Sequence, residues 1–164
     1  DAMDKGITVE QIYQATALLK KVGIKPSLFI QFGYLGETKE DIDKTIRMIR
    51  EVLPYEIGIS VSYPLPGTVF YEKVKADLKD KANWTHSDEL AMMFRNTYQP
   101  AFYKRLHRYV HHEFRKHQGW YILRKALQKP FELTRKEWKR ALATGWYSWR
   151  CVVDRIQLSR YARQ

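Results

Sequence analysis

Leu28-Phe29-Ile30-Gln31-Phe32-Gly33-Tyr34-Leu35-Gly36-Glu37-Thr38 begins as an apolar, aromatic run, stops at a glycine turn and leads into a helix start. Bounded by Pro26 and Gly33, the run Leu28–Phe32 reads as a mostly buried strand of the parallel-sheet type. Upstream, Thr8-Val9-Glu10-Gln11 forms a capping box, and Ile12, Ala15, Leu19 and Val22 keep helical spacing until Gly23 and Pro26, predicting a helix over 9–22. Downstream, Thr38-Lys39-Glu40-Asp41 is a second capping box with a shorter acid. Ile42, Ile46, Ile49 and Leu53 carry that helix to Pro54. Ile57 to Tyr63 then alternates strictly, with Ile57, Ile59 and Val61 on one face and Gly58, Ser60 and Ser62 on the other. This is a strand with one deliberately small face. Helix, strand, helix, strand with connections this short implies a βαβ crossover and parallel strands, from a barrel or an open α/β sheet. Two strands cannot be a whole sheet of that kind, so further strands are expected ahead of this stretch.

The second half has a different character. Residues 1–80 carry 11 basic and 12 acidic side chains and residues 81–164 carry 18 and 6, so the halves stand at −1 and +12 within the total of +11. All five histidines and all five tryptophans lie there too. Two regions are predicted, 1–80 and 81–164. Past Thr85 the strand signals give way to helical segments with mixed basic and aromatic faces. One helix is expected from near Ser87 to near His117, broken around Pro100 and stopped at Gly119; a capping box at Thr134-Arg135-Lys136-Glu137 opens another, with Gly145 as a weak point. The single cysteine, Cys151, excludes an internal disulfide and any multi-cysteine metal site built by this chain alone. No apolar run approaches bilayer length and no leader-like start is visible, so a cytoplasmic protein is expected.

Two loops stand where α/β folds place ligands, at the ends of strands. In Gly33-Tyr34-Leu35-Gly36-Glu37-Thr38 the glycines let backbone approach a ligand; a tight turn without a ligand is the competing reading. In Ser62-Tyr63-Pro64-Leu65-Pro66-Gly67-Thr68 two prolines stiffen the exit and Gly67 supplies the turn, which a rigid strand exit would also explain.

Together, the two loops on consecutive strands resemble the radical S-adenosylmethionine (radical SAM) superfamily. In its cobalamin (B12)-binding branch one strand ends in a pattern like F-I-x-F-G-Y-P-G-E-T-x-E-D, here Phe29 through Asp41. The next leads into S-Y-P-L-P-G-T, here Ser62 through Thr68. Phe70-Tyr71, Asn83-Trp84 and the stretch from Tyr98 to His112 are similar to the anaerobic magnesium-protoporphyrin IX monomethyl ester cyclase family. Leu35 replaces the usual proline, and the C-x-x-x-C-x-x-C cluster motif is absent.

The resemblance implies an α/β fold: the last βα units of a radical SAM partial (β/α)6 barrel over 1–80, then a mostly α-helical C-terminal region. It implies a radical methylation, cyclisation or rearrangement begun when a 4Fe-4S cluster cleaves S-adenosylmethionine, with cobalamin as second cofactor. Cluster ligands and cobalamin domain would lie in an N-terminal part of the same polypeptide, without which these residues would be inactive. By resemblance Phe29, Ile30 and Gln31 lie beside the adenosine, Gly33 and Gly36 allow backbone approach, and Ser62, Tyr63, Pro64 and Leu65 border the adenine. The small face with Ser60 gives the lumen room independently, and Glu37 is read as orienting the turn. The resemblance names no catalytic side chain here, and no metal ligand is assigned to this chain.

In the basic half, His107 and His111 share a helical face at metal-ligand spacing, but no convincing third ligand accompanies them, so packed or exposed histidines are the favoured reading. Tyr98, Phe102, Leu106, Tyr109 and Phe114 read first as a packing stripe and second as a wall for a flat substrate. The scattered positive charge could serve nucleic acid, an anionic membrane surface or a carboxylate-bearing substrate; the family resemblance implies a tetrapyrrole or lipid substrate, with peripheral membrane contact, over nucleic acid. A solvated basic surface is the plain alternative. A stand-alone basic module binding nucleic acid or an anionic membrane, and a tRNA-modifying radical SAM enzyme, are the rival functions.

Overall fold

The computed structural model describes residues 6–78, 94 and 96–162. The predicted regional boundary near residue 80, the Asn83-Trp84 pair, His86 and the expected helix start at Ser87 lie outside the described residues. The chain is rich in helix around a small mixed α/β unit: α1 (Val9–Lys21), β1 (Ser27–Phe32), α2 (Lys39–Val52), β2 (Glu56–Val61), α3 (Val69–Val74), α4 (Pro100–Gln128), α5 (Arg135–Leu142) and α6 (Thr144–Tyr161).

The local signals act as predicted. The capping boxes at Thr8/Gln11, Thr38/Asp41 and Thr134/Glu137 all close, each satisfying backbone N–H groups that the first helical turn leaves without partners. At the far end of α2, Leu53 takes a left-handed conformation, and Lys20 Nζ donates to the carbonyls of Val52 and Leu53 at 2.6 and 2.8 Å. That contact ties α1 to the α2 terminus.

β1 and β2 pair in parallel, Ser27 opposite Glu56 through Phe32 opposite Val61. One face of the pair buries Ile30, Phe32, Ile57 and Val61 against Ile42, Ile46 and Ile49 of α2 and against α4. The packing stripe of α4 is real: Phe102, Leu106, Tyr109 and Phe114 are all buried. A single apolar cluster runs from the strands through α4 to Cys151 of α6. Arg115 pairing with Glu56 at 2.6 Å, and Gln118 Nε2 donating to the Tyr55 carbonyl at 2.9 Å, fasten α4 to the start of β2.

Three expectations need correction or qualification. α4 starts at Pro100, a favourable first-turn position because proline has no N–H to leave unpaired. It does not stop at Gly119 but runs on to Gln128. A Cβ at residue 119 would lie 1.9 Å from Thr144 Oγ1, so this glycine serves close helix approach instead of termination. The weak point in the last helical stretch falls at Ala143, not Gly145, which sits inside α6. The α1 stripe is only partly covered among the described residues: Leu19 is 36% and Val22 70% exposed. No helix among the described residues is long and apolar enough to cross a membrane.

Candidate cofactor-binding edge

The register that pairs Phe29 with Gly58 and Gln31 with Ser60 puts these four residues on one sheet face, opposite the helices. Phe29 is 89% exposed, and its ring lies over Gly58, where an added Cβ would be 3.1 Å from ring carbons. Ile30 is different: its side chain points to the other face and is buried in the core, so of the three residues that the resemblance sets beside the adenosine only Phe29 and Gln31 turn their side chains to the small face. Alternation explains the difference, since neighbouring strand residues face opposite ways.

Both strands end at the same edge. Gly33 and Gly36 have φ of 79° and 78°, a region costly for residues with a Cβ. The Gly33 N–H donates to Glu37 Oε2 at 2.8 Å, and the Glu37 N–H donates to the Tyr34 carbonyl at 3.0 Å. Glu37 thus clamps the turn across its own residues, in keeping with an orienting role. Leu35, in place of proline, is partly buried against the core and substitutes packing for ring stiffness. Tyr34 packs on Phe70, which meets Phe94 edge-on.

Across the edge, Ser62 donates its backbone N–H to the Phe32 carbonyl at 2.7 Å. Its side chain is 1% exposed, and Oγ has no hydrogen-bond partner among the described residues. Pro64 is buried, while Tyr63 and Leu65 are exposed. Gly67, with φ of 85°, turns the chain into α3, capped by Thr68 Oγ1 accepting from the Tyr71 N–H at 3.1 Å.

Sequence reasoning missed two residues here. Asn96 Nδ2 donates to the Gly33 carbonyl at 2.6 Å, holding the glycine turn from a distant part of the chain. Tyr103 of α4 is buried nearby, its hydroxyl pushed up by burial and then by the Glu37 charge. Neither carries a local signal: Asn96 acts through a long-range hydrogen bond, and the burial of Tyr103 depends on distant segments.

Burial pushes the Glu37 carboxyl up to about 7; the Gly33 hydrogen bond works against this and Asp41 adds to it. The folded state therefore holds this proton more tightly than the unfolded chain does. Stability should fall as pH rises from the ordinary carboxylate value of 4.5 to about 7 and level off above. Glu37→Gln keeps an acceptor for Gly33 and removes the charge. It should abolish that part of the decline, stabilising the protein at pH 8 by on the order of 1–3 kcal/mol relative to wild type. Urea unfolding of both proteins at pH 5 and 8 measures it, and an equal gap at the two pH values would refute it.

A second polar cluster lies behind the sheet. Glu113 meets Arg50 at 2.5 Å, Lys116 at 2.7 Å and His117 at 3.3 Å, with the Cys151 thiol beside it. Burial alone would raise its pKa, but hydrogen bonds from His117, Lys116 and Cys151 more than offset that and hold it low. The same burial, and then Glu113, push the Cys151 thiol up to about 12. A thiol held protonated in this way is a poor iron ligand, and it is the chain's only cysteine. These residues do not fit an iron–sulfur cluster. His111 is driven down to about 4 by burial, then by His107 and Arg115. No group of three His, Cys, Asp or Glu among the described residues could hold a metal ion. The small sheet face and the orphaned Ser62 hydroxyl do fit a flat ligand with polar edges. The chain matches no protein-family model and no curated protein.

Proposed function

We propose that this chain is the C-terminal part of a cobalamin-dependent radical SAM enzyme, and that the edge formed by β1 and β2 is one wall of its S-adenosylmethionine site. The observation that carries the reading is the parallel β1–α2–β2 unit. Among the described residues no helix covers its face of Phe29, Gln31, Gly58 and Ser60, and both strands end there in glycine-containing turns. The exposed Phe29 and the partly uncovered stripe of α1 suit a unit continued by further barrel strands. Phe29 would stack on the adenine, Gln31 and the Ser62 hydroxyl would meet polar edges, and Gly33 and Gly36, held by Glu37 and Asn96, would keep the backbone close to the ligand. Bound there, S-adenosylmethionine would supply radical chemistry when reduced at a 4Fe-4S cluster. Cysteines outside these residues would hold that cluster, and a further domain would hold cobalamin. A tetrapyrrole or lipid is the proposed substrate class.

The test is anaerobic reconstitution of the whole polypeptide with iron and sulfide, then reduction in the presence of S-adenosylmethionine. Release of 5′-deoxyadenosine is expected, and Gly58→Val should weaken S-adenosylmethionine binding by about tenfold or more, since it removes the space under the Phe29 ring. A polypeptide that binds no cluster and releases no 5′-deoxyadenosine would sink the reading.

A further inference from the structure

The last two helices carry apolar residues on both sides. Cys151 and Asp154 of α6 point inward and are buried. On the opposite side Trp149, Val152 and Ile156 are 59%, 60% and 51% exposed, at spacings of three and four residues that line one helical face. α5 extends the stripe. It is separated from α6 only by Ala143, whose φ of −74° and ψ of −8° stay near helical values. Trp138 and Leu142, 39% and 81% exposed, continue the same spacing backward. At the turn between α4 and α5, Leu127 and Phe131 are almost fully exposed beside Lys129.

The charge around this stripe narrows what can cover it. Residues 135–161 hold seven lysines and arginines against two acids, Glu137 and Asp154. Both acids are already spent within the fold, Glu137 on Lys125 and Asp154 on Arg105 and His112. A second copy would bring the same cations face to face. An acidic, partly apolar surface would be complementary, and tryptophan flanked by lysine and arginine is the composition that settles at a lipid–water boundary.

We propose that the outer face of α5 and α6 docks on an anionic membrane surface. Trp138, Leu142, Trp149, Val152 and Ile156 enter the headgroup boundary, and Arg135, Lys139 and Arg160 meet lipid phosphates. This goes beyond the cofactor reading and does not rest on it. It uses the outward side of α5 and α6, which shares no residue with the β1–β2 edge, and its test does not read S-adenosylmethionine chemistry.

The test is co-sedimentation of the full-length protein with phosphatidylglycerol vesicles and, separately, with phosphatidylcholine vesicles. Binding to the anionic vesicles is expected, about tenfold or more weaker on the neutral ones, and reversed by salt because exposed charges are screened. The outward-facing triple variant Trp149→Ser/Val152→Ser/Ile156→Ser and the charge variant Arg135→Gln/Lys139→Gln/Arg160→Gln should each bind about tenfold more weakly. Both should retain the helical circular dichroism of wild type, since these side chains face away from the core. Three results would each overturn the proposal: no binding to phosphatidylglycerol, undiminished binding by the serine variant, or a concentration-dependent dimer that the serine variant abolishes.

Discussion

Asp154→Ala should lower folding stability by about 3–5 kcal/mol, the range for breaking a buried ion pair from one side. The Asp154 side chain is 0% exposed and sits between α4 and α6, the most extensively packed pair of helices. Oδ1 accepts from Arg105 Nη1 at 3.0 Å, Oδ2 lies 2.6 Å from His112 Nδ1, and Arg150 approaches to 4.0 Å. His112 in turn rests its ring against Trp146 and Tyr147. Removing the carboxylate leaves two guanidinium groups and an imidazole facing one another in a space that water reaches poorly. Desolvation of those unpaired groups, more than the lost attraction, makes the effect large. Replacing the whole cluster, Arg105→Met with His112→Leu, Arg150→Met and Asp154→Leu, should therefore cost far less than the single change. Urea unfolding followed by circular dichroism compares the two, and a loss under about 1 kcal/mol for Asp154→Ala would show that the carboxylate is not the hub of this interface.

Gly119→Ala carries the second large effect, and its sign is informative. In an exposed helix interior this change stabilises by about 1 kcal/mol, because alanine gives up less backbone freedom. Here the new Cβ would meet Thr144 Oγ1 at 1.9 Å, Thr144 Cβ at 3.0 Å and the Arg140 carbonyl at 3.3 Å. The carbonyl is backbone and cannot swing aside, so α4 must shift away from the junction of α5 and α6. A net destabilisation of about 1–3 kcal/mol is expected. Thr144→Ala in the same chain should recover part of it by removing the nearest atom. Stabilisation by Gly119→Ala alone, read as a raised unfolding midpoint, would mean that the helices do not approach this closely.

Local chemistry accounts for most of what was legible. Threonine followed three residues later by an acid or glutamine marks a helix start through contacts inside one turn, so the starts at Thr8, Thr38 and Thr134 need no tertiary information. The alternation of Ile57 to Val61 predicts a strand and separates its faces, and the structure keeps that division. Ile30 shows the limit at the candidate site. Its type and position matched a motif, yet strand alternation turns it to the core while Phe29 and Gln31 stay on the small face. Asn96 was illegible because it meets the turn across a long stretch of chain, and Tyr103 because its burial is set by packing between distant segments.

The sequence by itself determined the element types, the parallel crossover implied by short connections, the two-faced second strand and the concentration of positive charge in the second half. Those depend on period, capping and composition, which act over a few residues. Only the tertiary structure decided which glycine is a contact and which a turn, since Gly119 in a helix and Gly33 after a strand differ in what approaches them. It also decided that the scarce acids Glu113 and Asp154 are buried hubs among cations, and that Trp149, Val152 and Ile156 on the outer stripe of α6 are exposed. Burial and pairing are properties of space between distant segments, and no local pattern records them.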